Sequence, residues 1–119
     1  MAATGARLLT ILAGETYSEI ITLPWESNQN IVYIATLDTI AANTKLELWM
    51  QSKKDPNVWM PFYNPSKGEN AAINLVAGKI IPCSPYTDGR GARALRFKLN
   101  QVQANDVELE VGLVKLLNT

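Results

Sequence analysis

Alternation of apolar and polar residues is the feature of this chain that most limits its fold. In residues 106–113 every second residue is apolar, at Val107, Leu109, Val111 and Leu113, and residues 45–50 follow the same rhythm. A period of two places successive side chains on opposite faces of a strand, so one face can enter a core while the other meets solvent or a partner. The pattern therefore predicts half-buried strands.

The sequence predicts about eight or nine such strands. They cover residues 7–12, 17–23, 30–37, 45–53, 58–62, 72–76, 79–81 and 93–99, with a last strand beginning at 107. Turn-forming residues separate them, as in Asp55-Pro56-Asn57 and in the loops 64–70 and 88–91. Residues 37–48 have some helical character, but Thr39, Asn43 and Thr44 favour a short turn there.

Many short strands separated by turns are typical of antiparallel sandwiches and barrels. We therefore predict an all-β fold: an antiparallel β-sandwich or jelly-roll-like barrel of about eight short strands, with an extended N-terminal arm. The 119 residues suffice for one domain. We expect residues 1–12 to form the N-terminal arm or first strand, and residues 13–119 to form a single β-sandwich domain.

Composition argues against most chemistry. The chain has no histidine and one cysteine, which removes most metal sites and most acid–base or nucleophilic catalysis. We therefore predict no enzyme activity, no catalytic residues, no metal and no cofactor. Cys83 lies beside apolar residues and is expected to be a buried, unreactive thiol.

The charge balance bears on partners. Lysine plus arginine and aspartate plus glutamate both number 11, so a general attraction to nucleic acid or to an anionic membrane is not expected. Charged residues make up 18% of the chain, against about 25% in an average globular protein. This shortfall predicts a surface partly covered by further copies of the chain or by a partner, although neutral polar residues in place of charged ones are an alternative explanation.

Targeting signals are weak. Arg7 precedes the apolar residues 8–13, but this stretch is short for a signal peptide, and Glu15 is a poor context for cleavage. No apolar run approaches the roughly 20 residues of a membrane span. We expect a soluble protein that is not secreted and that contacts no membrane.

Two clusters of charge stand out. Asp106, Glu108 and Glu110 share one strand face and could bind a cation, but a solvated face paired with Arg96 and Lys98 on a neighbouring strand is favoured. The basic residues Arg90, Arg93, Arg96 and Lys98 follow a glycine-rich turn. They lack the pattern of a phosphate-binding loop, and an acidic protein partner is the main alternative to a simple polar strand face.

The aromatic residues cluster in loops and at strand ends. Trp25 follows a proline, Trp49 lies on the polar face of its strand, and Trp59, Phe62 and Tyr63 crowd one segment. Such rings could pack in the core, fill a subunit interface or stack on sugars. Pro61 removes one donor from its strand and so predicts an edge strand or a bulge.

The C-terminal half resembles small structural proteins of tailed bacteriophages, of the capsid-decoration and head-fibre type. The resemblance is carried by residues 46–50, 57–61, 79–82 and 94–99 and by the final strand from Asp106. It implies a non-enzymatic virion protein, made in the host cytoplasm, that forms a homo-oligomer, typically a trimer. Its partners would be the major capsid protein or another virion protein, and it would reinforce the capsid lattice.

The alternative is a carbohydrate- or receptor-binding module of a fibre or other tail component, with Trp25, Trp49 and Trp59 as its platform. For either function, we predict an interaction surface rather than an active site. The candidate interface residues are Arg7, Leu8, Trp25, Trp59, Phe62, Tyr63 and Arg90.

Overall fold

A computed structural model describes residues 2–22, 29–84 and 94–116 of the chain. Within these ranges it contains eleven strands and no helix. The strands are β1 (Ala2–Ile11), β2 (Ile21–Thr22), β3 (Gln29–Ala35), β4 (Lys45–Gln51), β5 (Trp59–Pro61), β6 (Tyr63–Asn64), β7 (Glu69–Asn70), β8 (Ala72–Asn74), β9 (Ile80–Pro82), β10 (Ala94–Leu99) and β11 (Val107–Leu116).

Two antiparallel sheets make up the body of the molecule. The first has the strand order β1-β11-β3-β9, and the second has the order β2-β10-β4-β5, with β8 also pairing with β4. Strands β6 and β7 form a small separate hairpin. The predicted all-β, sandwich-like fold is confirmed.

The core lies between the inner faces of the two sheets. The apolar residues of each alternating strand point into the core. Strand β11 buries Val107, Leu109 and Val111, and β10 buries Leu95, Phe97 and Leu99. All six side chains are completely buried. The side chains between them point to the outer faces of the two sheets.

Strand β1 is an outer strand of the first sheet. It pairs with β11 along its whole length, from Ala2 opposite Leu116 to Ile11 opposite Val107. Leu9 and Ile11 enter the core, whereas Leu8 lies on the outer face. The N-terminal segment is thus a strand of the sheet over residues 2–11.

A β-bulge in β3 re-aims one aromatic side chain. Tyr33 lies opposite Gly112 and Ile31 lies opposite Leu113, so Val32 is the extra residue. Ile31 and Ile34 are both buried, although they are three residues apart. The bulge leaves Tyr33 on the outer face of the first sheet, where its ring lies over Gly112.

Local turn chemistry matches the sequence in two places. The Val58 amide donates to the Asp55 carbonyl at 2.9 Å, which closes the predicted turn between β4 and β5. Residues 41–44 form the short turn favoured over a helix, with Asn43 at a φ of 61°.

Strand β5 occupies the edge of the second sheet, as Pro61 predicts. Pro61 lies opposite Trp49, and the Phe62 amide supplies the neighbouring hydrogen bond to the Leu48 carbonyl at 2.9 Å. The missing amide hydrogen of Pro61 therefore removes no hydrogen bond that β4 requires.

Candidate functional site

An exposed apolar row crosses the outer face of the first sheet. The strand registers place Leu8 opposite Glu110, Glu110 opposite Ala35, and Ala35 opposite Ile80. Leu8 is 61% exposed and Ile80 is 68% exposed. Leu37, just after β3, is 92% exposed and joins them around a depression of about 460 Å³.

Carboxylates surround this depression. Glu108, Glu110 and Asp38 line it, together with one cation, Lys79. The Asp38 Oδ2 atom accepts a hydrogen bond from the Glu108 amide at 2.7 Å, which holds the loop after β3 against β11. We call Leu8, Leu37, Ile80, Glu108 and Glu110 the acid-rimmed patch.

Tyr33 borders the acid-rimmed patch. Its hydroxyl donates a hydrogen bond of 2.7 Å to Glu110 Oε2. This bond raises the pKa of Tyr33 above its ordinary value of 10.0, and partial desolvation and the negative charge of Glu110 act in the same direction.

A second group of side chains occupies the outer face of the second sheet. The Arg96 guanidinium lies over the Tyr17 ring, 4.0 Å from its centroid, and over the Trp59 ring at 4.5 Å. The Lys98 ammonium lies 5.3 Å from the Trp49 centroid and 5.6 Å from that of Tyr17. We call these five residues the cation–aromatic cluster.

Four different segments assemble the cation–aromatic cluster. Arg96 lies directly opposite Trp49 on β4, and Tyr17 joins β10 through a single bridge to Lys98. Tyr17 meets Trp49 edge-on, with ring centroids 6.2 Å apart. Trp59 comes from β5, opposite Gln51.

The predicted pairing of the acidic strand face with the basic one is wrong. Glu108 and Glu110 lie on β11, whose neighbours are β1 and β3, while Arg96 and Lys98 lie on β10 in the other sheet. Arg96 and Lys98 face Trp49 and Glu47 instead. The acids and the cations therefore lie on the two opposite outer faces of the sandwich.

The predicted interface residues are dispersed. Leu8 lies in the acid-rimmed patch and Trp59 in the cation–aromatic cluster. Arg7 is exposed on β1, on the strand face opposite to that of Leu8, and Tyr63 on β6 is 54% exposed. Phe62, directly after β5, is half-buried and packs against the core.

Two predicted interface residues, Trp25 and Arg90, lie outside the described residues. The sequence reasoning also missed Leu37, Ile80 and Tyr17. Leu37 ends the strand predicted over residues 30–37, and this position could have indicated an apolar side chain outside the core. Nothing local could have placed Tyr17 beside Arg96, because the contact joins residues far apart in the chain.

The part of the chain that the structure covers offers no candidate metal centre. Residues 2–22, 29–84 and 94–116 hold no group of three or more cysteine, aspartate or glutamate side chains placed to hold a metal ion. Cys83 is half-buried and packs against the core. Among the same residues, no helix has the length and apolar character to cross a bilayer.

Comparison with known proteins yields a coarse structural likeness. No protein-family model matches the chain, and no curated protein matches it. A solved structure that is similar is the NLP-core of Drosophila, described as giving insight into pentamer formation and histone binding. The match has 15% identity and a TM-score of 0.43, and it covers 91% of this chain and 97% of that one.

This finding corrects the predicted function. The matching structure is that of a histone-binding protein and not of a virion component, so the prediction of a capsid decoration protein, with its fibre-module alternative, is wrong. At this identity and TM-score, the likeness transfers neither the pentamer nor histone binding to this chain.

Proposed function

We propose that this chain is a non-enzymatic β-sandwich subunit that acts by associating with further copies of itself. The observation that carries the proposal is the acid-rimmed patch, where Leu8, Leu37 and Ile80 are 61%, 92% and 68% exposed on one face. Single exposed apolar residues are normal on a monomer, but a group of large ones around a depression is typical of an interaction surface.

The patch is large enough to matter energetically. Fully burying a leucine or isoleucine side chain contributes roughly 1.5–3 kcal/mol. Scaled by the three exposed fractions, covering the patch contributes about 3–7 kcal/mol. Association costs roughly 4–15 kcal/mol in lost freedom, so the patch offsets a substantial part of that cost and the opposing surface must supply the rest.

Charge supports self-association as well. The 11 cationic and 11 anionic residues give no net charge, so two copies approach without overall repulsion. A charged rim around an apolar centre is the usual anatomy of a contact surface.

Analytical ultracentrifugation over a concentration series tests the proposal. The wild-type chain is expected to show a mass above that of the monomer, and Leu37→Ser combined with Ile80→Thr is expected to shift the transition to higher concentration. Val102→Thr is the matched control, since Val102 is 56% exposed but lies outside the patch. A wild-type protein that stays monomeric throughout would overturn the proposal.

A further inference from the structure

The cation–aromatic cluster presents two cations whose charge no acid in the described part of the chain neutralises. Among the described residues, the charged groups of Arg96 and Lys98 lie over the rings of Tyr17, Trp49 and Trp59. The Arg96 Nε atom is buried and has no hydrogen-bond partner. Within residues 2–22, 29–84 and 94–116, no carboxylate therefore forms an ion pair with the cluster.

The acid nearest in register is already engaged. Glu47 lies opposite Lys98, but its Oε1 accepts from Trp49 Nε1 at 3.1 Å and its Oε2 accepts from Asn70 Nδ2 at 3.2 Å. Both carboxylate oxygens thus accept hydrogen bonds from neutral donors, one on β4 itself and one on β7. An external carboxylate is the natural counter-charge for the cluster.

The same chain carries such carboxylates on its opposite face. Glu108 and Glu110 flank the exposed Leu8 on the outer face of the first sheet. Three carboxylates and one ammonium line the depression, so the face is acidic although the whole chain is neutral. An apolar patch with an acidic rim complements an aromatic surface that carries cations.

We propose that the acid-rimmed patch of one copy docks on the cation–aromatic cluster of the next copy. This inference rests on the proposed self-association and names the surface that meets the patch. A two-fold contact between two acid-rimmed patches is disfavoured, because it would bring the glutamates of both copies together. Because the two faces lie on opposite sides of the sandwich, every copy can use both of them.

Head-to-tail docking determines the kind of assembly. A contact between two different surfaces repeats from copy to copy, and it closes into a ring or continues as a filament depending on the rotation per step. The rings already hold Arg96 and Lys98 in place within each subunit. The two side chains therefore lose less conformational entropy when a second copy docks.

Two charge reversals and their mixture test the inference by sedimentation velocity. Lys98→Glu alters only the cluster and Glu108→Lys alters only the patch. Each variant alone is expected to associate at least about tenfold more weakly than the wild type. An equimolar mixture is expected to recover association, since each reversed surface then meets its complement. Lys67→Glu, in the exposed turn between β6 and β7, is the control.

Each outcome separates this inference from the proposed function. If Glu108→Lys weakens association and Lys98→Glu does not, or if the mixture fails to recover, the head-to-tail contact is wrong while self-association stands. If the wild type is monomeric, both are wrong. Lys98→Gln keeps part of the aliphatic stem and avoids a glutamate opposite Glu47. This variant, with thermal melts of every variant, separates a lost contact from a lost fold.

Discussion

Ser18 completes a hydrogen-bond ladder that the backbone alone leaves unfinished. Strand β2 pairs with β10 only at Leu95 and Ala94, so the Phe97 amide has no backbone acceptor on that side. The Ser18 hydroxyl accepts from this amide at 2.9 Å and donates to the Glu19 carbonyl at 2.7 Å. Ser18 is 9% exposed, and Phe97 is completely buried.

Ser18→Ala is therefore expected to leave a buried amide unpaired. The cost of such a group is about 1–3 kcal/mol, while Glu19 is an exposed residue whose carbonyl can bind water instead at little cost. For a domain of this size, about 2 kcal/mol lowers the melting temperature by roughly 6–12 °C. Because Ser18 follows Tyr17, the same change also loosens the Tyr17 side of the cation–aromatic cluster.

Urea denaturation followed by tryptophan fluorescence measures the loss of stability, and native-state hydrogen exchange of the Phe97 amide locates it. Ser18→Thr keeps a hydroxyl and is expected to retain most of the stability. Ser66→Ala, in an exposed turn, is expected to change little. If Ser18→Ala stays within about 0.5 kcal/mol of the wild type, or if the Phe97 amide exchanges no faster, the hydroxyl does not hold this ladder.

Three further changes probe other contacts. A Cβ at Gly112 would overlap the Tyr33 ring, so Gly112→Ala is expected to cost about 1–3 kcal/mol in thermal melts, and a Tyr33→Ala background should abolish that cost. Tyr33 is expected to ionise above pH 10.0: the stability from its protonated hydroxyl persists below that pH and is lost as the pH rises through the raised pKa. Tyrosinate absorbance should show Glu110→Gln moving the pKa back toward 10.0, and an unmoved pKa would contradict the assigned cause. Gln103 is buried and accepts from the Ala41 amide at 2.8 Å, so Gln103→Leu should destabilise by about 1–3 kcal/mol in urea titrations, and a neutral result would show that the 37–44 loop does not depend on it.

Local signals in the sequence predicted the elements of the fold well. The alternation in β10 and β11 separates buried from outward residues, since that separation depends only on the period of two. Pro61 marks an edge strand because a missing donor is tolerated only there. The bulge at Val32 breaks the alternation between Ile31 and Ile34, and it could be placed only once β11 was known to be the partner.

Strand pairing was beyond the reach of the same signals. Nothing within residues 93–116 tells whether β10 lies beside β11 or in the other sheet, and the expected pairing of Glu108 and Glu110 with Arg96 and Lys98 failed on this point. The cation–aromatic cluster was missed for the same reason, because it brings residues 17, 49, 59, 96 and 98 together from four segments.

The failed pairing also changes the meaning of a net charge of zero. Had the acids of β11 faced the cations of β10 within one sheet, the charges would have cancelled locally and left both outer faces neutral. Pairing β10 with β4 places the acids of β11 and the cations of β10 on opposite faces. The equal counts of 11 cationic and 11 anionic residues therefore hide an uneven distribution of charge between the two faces. Two such subunits feel little force at a distance, but they attract when unlike faces meet and repel when acidic faces meet. Topology, rather than composition, thereby selects head-to-tail contact over face-to-face contact.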